Sequence, residues 1–290
     1  MGGKTKVKMD KTQQAKARPT RMLTQQDFAD NNETAVYWLT SAGAMINSHG
    51  TILFVDPVLA YIDGQPMVSE TFEILLVPTP IQPEKVPKCD AVFYTHMDYD
   101  HLSENTLQKL KYTTDPDFYI PSQFVYDRLK FYGVAPDKRK IIAPGEKVVI
   151  GNVTVERTLA RHAWQVIDPE HYDWTYQPED CTGYKITTPD GIIWVPGDTQ
   201  LLPEHLEMTD VDVMFIDFAR SQSHLGEENA IKLANTLTQT DMIMYHYGTF
   251  KVEGRPDFSA NPDDVRDKFI HPERFHDLAP GEKYVLKSKH

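Results

Sequence analysis

Cysteine is scarce in this 290-residue chain, and its two cysteines, Cys89 and Cys181, lie far apart without a C-x-x-C spacing. One disulfide is possible, but two isolated thiols favour a reducing compartment over a disulfide-stapled scaffold. Long apolar runs are also missing, since no stretch approaches the ~20 residues that a membrane helix needs. The basic start MGGKTKVKMDKTQQ is not followed by the apolar segment of a signal peptide. We therefore expect a cytoplasmic protein without a membrane span.

Charge is distributed unevenly. The formal net charge is −12, yet residues 1–21 contain seven Lys or Arg and one acidic residue, Asp10. We predict that residues 1–33 form a basic, flexible arm and that residues 34–290 form a single domain. The arm could stay solvated or dock on an acidic neighbouring subunit of a homo-oligomer. The acidic body argues against nucleic acid as a partner.

Apolar periodicity predicts the secondary structure. Strands are expected at 35–39, 43–48, 51–57, 91–96, 211–218 and 241–246, with hairpins turning at Gly151-Asn152 and Pro189-Asp190-Gly191. Helices are expected at 103–112, 122–133 and 226–237, the first capped by Ser103 or Asn105 and the second ended by Gly133. Strands come first and then alternate with helices over short links. That order predicts two sheets flanked by helices in one α/β domain.

Polar side chains cluster where predicted strands end. The segment YTHMDYDHL follows the apolar run AVFY, and three further polar positions each follow another strand; together they are His96, Asp98, Asp100, His101, His162, Asp198 and His246. Strand ends meet at one edge of a sheet, where α/β proteins place their sites. Imidazole and carboxylate ligands suit Zn, Mn or Fe. A lone His162 or His246 would more often be an ordinary surface or core histidine, but several independent clusters disfavour coincidence.

The D-x-D spacing at 98–100 allows two other interpretations. It could be the Mg or Mn motif of a glycosyltransferase, or the start of a calcium loop. A calcium loop needs glycine at its sixth position. Counting from Asp98, that position is Ser103, so the calcium interpretation fails.

The motifs together resemble the metallo-β-lactamase superfamily over about residues 34–287. THMDYDHL resembles its H-x-H-x-D-H signature, VPGDTQ its G-D-T segment, LARHAW its single-histidine loop, YHYGTF its last histidine strand and FVDPVL its early D-P turn. HMDYDHL, GDT and HYGTF look closest to the L-ascorbate-6-phosphate lactonases and the N-acyl-phosphatidylethanolamine phospholipase D enzymes. The resemblance implies a four-layer αββα sandwich in a single domain.

The resemblance also implies two divalent transition-metal ions, Mn, Zn or Fe. The first would take His96, residue 98 and His162; the second would take Asp100, His101 and His246, with Asp198 bridging. Asp98 departs from the family pattern, which has histidine there, whereas the six other ligand positions are present. Three outcomes stay open: a dinuclear site with a preference shifted toward Mn or Fe, a site with one firmly and one weakly held metal, and a degenerate, non-catalytic site.

The implied activity is hydrolysis by a metal-bound hydroxide. Asp100 would also accept the proton of the attacking water, and Asp56 would orient a histidine ligand unless it only shapes an Asp-Pro turn. We expect a small-molecule substrate that can be anionic, either a lactone or a phosphorylated molecule. The alternatives are a phosphodiesterase or phospholipase-type hydrolase and a metal-stabilised binding module without turnover.

Substrate contacts are predicted in three places. The aromatic and acidic segment 163–181 offers Trp164, His171 and Trp174, and the last histidine motif offers Tyr247. Arg220 could bind a phosphate or carboxylate. His224 could protonate a leaving group or bind substrate. For the last two residues, an ordinary salt bridge or a role at a helix start is an equal alternative.

Overall fold

Two seven-stranded sheets form the centre of the protein. The computed structural model describes residues 14–62, 65–69, 74–162, 177–251 and 260–287. Its strands are β1 (Thr34–Trp38), β2 (Ala44–Ser48), β3 (Thr51–Val55), β4 (Tyr61–Ile62), β5 (Gln65–Ser69), β6 (Ala91–Phe93), β7 (Asp117–Ile120), β8 (Arg139–Ile141), β9 (Lys147–Ile150), β10 (Val153–Leu159), β11 (Thr182–Thr188), β12 (Gly191–Val195), β13 (Val213–Ile216), β14 (Asp241–Met244), β15 (Phe275–His276) and β16 (Lys283–Val285).

The first sheet has the order β16-β1-β2-β3-β6-β7-β8, and the second has the order β15-β14-β13-β12-β11-β10-β9. Strands β3, β6, β7 and β8 are parallel neighbours, as are β12, β13, β14 and β15. The carboxyl ends of each parallel set therefore meet at one edge. β4 and β5 form a separate antiparallel pair.

Helices cover the outer faces of both sheets. The helices are α1 (Glu104–Thr113), α2 (Gln123–Phe131), α3 (Gly226–Thr236) and the short α4 (Pro262–Val265). Strand side chains alternate between faces: Val36 and Trp38 pack in the core between the sheets, whereas Ala35 and Tyr37 pack in the core that contains Leu107 of α1. The predicted αββα sandwich is confirmed.

Helix starts and strand ends follow local chemistry. Ser103 caps α1, as its hydroxyl accepts the Thr106 N–H at 3.1 Å. The strand predicted at 91–96 ends at Phe93. Beyond it, Thr95 turns its carbonyl to the other sheet and accepts the Thr182 N–H at 3.0 Å. That contact draws the following residues to the junction of the two sheets.

No helix within the described ranges has the length and apolar content to cross a bilayer.

The predicted arm, residues 1–33, contacts the domain from Gln14 onward. The Ala17 N–H donates to Gly248 O at 2.9 Å, and the Arg21 N–H donates to Pro280 O at 2.9 Å. A Cβ on Gly248, whose φ is +61°, would lie 2.5 Å from Ala17 N, so this close approach requires glycine. Residues 1–13 lie outside the described residues.

A buried carboxylate fixes the middle of this N-terminal segment. Asp27 accepts the Thr24 N–H at 2.8 Å and pairs with Arg21 Nη2 at 2.9 Å. Burial alone would raise the pKa of Asp27, but the hydrogen bonds from Thr24 and the charge of Arg21 hold it below its ordinary value. Asp27 is therefore ionised when the segment is packed at neutral pH.

Candidate metal centre

Polar residues from both sheets converge at the carboxyl ends of the parallel strands. Asp56 directly follows β3, and His96 lies three residues beyond β6. From the second sheet, Asp198 follows β12, Asp217 follows β13 and His246 follows β14. The parallel register of each set places these strand ends side by side. The candidate site therefore lies at the edge of the sandwich where the carboxyl ends of the parallel strands of both sheets meet.

The first ligand group contains His96, Asp98 and His162. Asp98 Oδ2 lies 3.4 Å from His96 Nε2 and 3.2 Å from His162 Nε2. Both imidazoles are buried, and the carboxylate is half-buried. Asp98 therefore points into the site, where the family pattern has a histidine.

The second group contains Asp100, His101 and His246. His246 Nε2 lies 3.3 Å from Asp100 Oδ2 and 3.3 Å from His101 Nε2. Together with the first group, the candidate ligand atoms come from three strand-end segments: residues 96–101, His162 and His246. The residues predicted together from the motif HMDYDH contribute to two groups, and His96 and His101 also share a third group with Asp198.

Asp198 lies between the groups. Its Oδ2 is 3.2 Å from His101 Nε2 and 3.4 Å from His246 Nε2. Its Oδ1 is buried and has no hydrogen-bond partner among the residues that the structure describes. A buried carboxylate oxygen without a donor is costly unless a cation occupies the space beside it.

Two carboxylates, those of Asp56 and Asp217, each accept a hydrogen bond from the Nδ1–H of a histidine and so orient its ring. Asp56 Oδ2 accepts the His101 Nδ1–H at 2.8 Å and the Thr95 hydroxyl at 2.5 Å, and Asp56 Oδ1 accepts the Thr95 N–H at 2.8 Å. Asp217 Oδ2 accepts the His224 Nδ1–H at 2.5 Å. In both cases Nε2 is left facing the site as the ligating or accepting atom.

Two residues of the site have left-handed backbone. Asp56 has φ +45° and His246 has φ +59°, a region that non-glycine residues rarely occupy. The His246 N–H donates to Ser41 O at 2.8 Å, which fixes the loop in this conformation. At Gly197, with φ +68°, a Cβ would lie 2.5 Å from Thr182 O. Glycine there lets the G-D segment bring Asp198 into the space between the sheets.

The local charges keep the carboxylates ionised. Burial opposes the charge on Asp98, but His96 and His162 hold the pKa of that carboxyl well below its usual range. Burial likewise opposes the charge on Asp198, but His224, His101 and His246 hold its pKa well below the ordinary value. Neighbouring histidines lower the pKa of Asp100 to about 2 against the opposing effect of burial. The aspartates of both ligand groups and Asp198 are therefore ionised near neutral pH.

This donor set fits divalent metal ions. The candidate groups consist of histidine nitrogens and aspartate oxygens within 4.8 Å of one another. The contact with Asp56 holds His101 by Nδ1 and leaves Nε2 facing Asp198 and His246. Burial lowers the pKa of His101 and of His246, but the neighbouring carboxylates, Asp198 foremost, raise both pKa values well above the ordinary value. These imidazoles therefore carry a proton in the metal-free site, and a divalent ion would bind in its place.

Several sequence-predicted substrate contacts do not join the cluster. Tyr247 is buried, stacks on Trp38 at 5.0 Å between ring centroids and donates its hydroxyl to Asp277. Its side chain belongs to the core and not to the cluster of polar residues. Arg220 is exposed and pairs with Glu227 at 3.4 Å.

The predicted contacts Trp164, His171 and Trp174 lie outside the described residues. Sequence reasoning did not single out Thr95 or Asp217, although both stand at strand ends beside chosen residues. For Asp217 the usable signal was its position directly after the apolar strand VMFI.

Both cysteines are free thiols and buried, and burial raises the pKa of each.

Comparison with known proteins identifies the family. Residues 51–247 match the beta-lactamase superfamily domain, a range that contains both ligand groups and Asp198. The chain belongs to the beta-lactamase superfamily. The uncharacterized protein Rv0906 of Mycobacterium tuberculosis is 26% identical over an alignment of 245 residues that covers 78% of this chain. The aligned part spans 62% of the length of that relative.

Solved structures share the fold. Igni18, a metallo hydrolase from the archaeon Ignicoccus hospitalis, has a TM-score of 0.64 and 17% identity, covering 88% of this chain and 99% of its own. CmlA, a diiron beta-hydroxylase from Streptomyces venezuelae, has a TM-score of 0.62 and 15% identity, covering 88% of this chain and 54% of its own. At these identities the likeness shows the common sandwich. The subgroup expected from the motifs is a finer assignment than these comparisons make.

Proposed function

We propose that this protein is a metal-dependent hydrolase that acts on a lactone or a phosphorylated small molecule. The observation that carries the proposal is the pair of His and Asp ligand groups joined by Asp198, whose buried Oδ1 has no hydrogen-bond partner in the described part of the chain. A dinuclear arrangement of this kind is the usual basis for metal-assisted hydrolysis.

Each group has a defined ligand set. His96, Asp98 and His162 would hold one ion, and Asp100, His101 and His246 would hold the other. Asp198 would join them. When bound, two divalent ions supply an activated water and polarise the carbonyl or phosphoryl oxygen under attack. The carboxylate of Asp98 is a harder donor than imidazole and favours Mn or Fe over Zn.

The surrounding residues prepare these ligands. Asp56 fixes His101 with Nε2 toward the site, and the buried position of both residues keeps competing water away from that contact. The Asp100 carboxylate, with a pKa of about 2, is ionised across the neutral range and is available to hold a cation or to receive a hydrogen bond from water. We propose that Asp100, a member of the second group, also accepts the proton of the attacking water.

The substrate class rests on the motifs and on the site's charge. HMDYDHL, GDT and HYGTF resemble the lactonase and phosphodiesterase-type members of the superfamily. With anionic carboxylates around it, the site would bind an anionic substrate through the metal ions. Arg220 is an additional cation only for a substrate able to displace its contacts with Glu227 and Asp264.

The test is a paired substrate screen on protein reconstituted with Mn, Fe or Zn. A panel of lactones and a panel of phosphomonoesters and phosphodiesters should give turnover in one class, and chelation should abolish it. The variants His162→Ala and His246→Ala should lose turnover while retaining the circular dichroism of the folded chain. Metal binding without turnover in either panel would contradict the hydrolase proposal and favour a binding module.

A further inference from the structure

His224 occupies the same structural situation as the ligand His101. The Nδ1–H of His101 donates to the buried carboxylate of Asp56 at 2.8 Å, and that of His224 donates to the buried carboxylate of Asp217 at 2.5 Å. In each, Nε2 faces Asp198 Oδ2, at 3.2 Å for His101 and 3.4 Å for His224. A carboxylate on Nδ1 is the arrangement that fixes the tautomer of metal-binding histidines.

The ligand atom of His224 lies within the metal-binding space. His224, His162 and Asp198 offer donor atoms within 4.8 Å of one another, as do His96, Asp98 and His162. The two groups share His162, which places His224 beside the first ligand group. The ring of His224 is also perpendicular to that of His162, with centroids 5.1 Å apart. Ser223, its neighbour, presents its carbonyl to His162 Nδ1 at 3.2 Å, so one short segment positions both imidazoles.

The first ligand group has one imidazole fewer than the superfamily pattern, because residue 98 is aspartate. His224 presents a buried imidazole beside His162, and it comes from a different strand end, beyond β13. We infer that His224 is an additional metal ligand that restores to the first site the imidazole nitrogen absent at position 98. This inference rests on the proposed function, since it concerns the same metal centre.

The first test is metal affinity. Calorimetric titration with Mn and Zn should show one of two sites weakened more than about 100-fold in His224→Ala, because loss of an outer carboxylate partner alone typically lowers affinity 10–100-fold. Asp217→Asn should give that smaller loss. His49→Ala is the matched control: His49 pairs with Asp190 at 2.8 Å in the turn before β3, at the opposite end of the strands. It should bind metal as the wild type does.

The second test reads coordination directly. The visible spectrum of the cobalt-substituted protein should change in His224→Ala, and added imidazole should restore the wild-type spectrum and affinity. A histidine that only donates a proton to a leaving group would alter the pH profile of turnover and leave metal affinity and the cobalt spectrum unchanged. That outcome would overturn the inference.

The failure of the inference can be distinguished from failure of the proposed function. If the wild type binds no metal, the metal-centre proposal itself fails. If the wild type binds two ions and His224→Ala binds them with wild-type affinity, only the role of His224 is refuted. Circular dichroism of the metal-free variants identifies any loss that comes from misfolding.

Discussion

Replacing Asp56 by Asn should disable the metal centre while leaving the fold in place. Asn has nearly the same shape and tolerates the φ of +45° found at this position. Its amide oxygen can still accept the Thr95 N–H, but its NH₂ group would face His101 Nδ1, which now donates to a carboxylate. His101 would then accept at Nδ1 and carry its proton on Nε2, the atom that faces Asp198. Metal binding would require reversal of that tautomer.

The expected magnitudes differ for metal binding and folding. Loss of such a carboxylate partner lowers metal affinity about 10–100-fold, which corresponds to about 1.4–2.7 kcal/mol. The metal-free protein should lose about 1–3 kcal/mol of unfolding free energy, the usual effect of one impaired buried hydrogen bond to a charged group. Titration calorimetry with Mn and Zn gives the first value, and urea unfolding of the metal-free protein gives the second.

Asp190→Asn is the matched control for this prediction. Asp190 also pairs with a histidine, His49, at 2.8 Å, but on the turn between β11 and β12, away from the cluster. It should leave metal affinity unchanged. Wild-type affinity in Asp56→Asn would refute the assigned orientation of His101.

Three further predictions concern single residues. Asp98→His should shift the relative affinity from Mn toward Zn, and Asp98→Ala should lose metal from one site; an unchanged preference and stoichiometry by calorimetry would show that this carboxylate is not a ligand. Gly248→Ala should destabilise the protein by more than Gly145→Ala in thermal unfolding, because both have positive φ but only the first meets Ala17 N, at 2.5 Å; equal losses would refute the close approach. Asp27→Asn should lower stability at pH 7, and the difference from the wild type should shrink as pH falls below about 4, because a carboxyl with a lowered folded pKa stabilises only while it is ionised; a difference independent of pH between 7 and 2 would contradict that role.

Short apolar segments made most of the sandwich predictable. The runs that became β2, β3, β13 and β14 combine β-branched residues with flanking turn signals, and the helices have recognisable caps. β7 and β8 were not expected, because DFYI and RKI are short and carry polar residues. Their position is set by the neighbouring parallel strand rather than by local preference.

The ligand cluster followed from residue type and position, but side-chain direction did not. His246 and Tyr247 are adjacent and lie beyond β14, where His246 has a φ of +59°, so strand alternation does not predict their directions. His246 enters the site, and Tyr247 packs on Trp38. Asp217 was overlooked because one aspartate after a strand is common. Only the three-dimensional fold shows that its carboxylate lies behind His224, at 2.5 Å.

Contacts of the N-terminal segment were also beyond sequence reasoning. Its basic, polar composition suggested a solvated arm. Instead, this segment packs closely against two glycines. A Cβ on Gly248 would clash with Ala17, and a Cβ on Gly281 would clash with the carbonyl oxygen of Arg21. These approaches join residues more than 200 positions apart in the sequence, which no local pattern encodes.

Metal content is the most direct test of the proposed centre. The purified chain should be stripped of metal, reconstituted separately with Mn, Zn and Fe, freed of unbound ions and measured by elemental analysis. Two ligand groups joined by Asp198 predict two ions per chain, with His162→Ala and His246→Ala each retaining less while staying folded. A folded wild-type protein that retains no metal under any of these conditions would contradict the account.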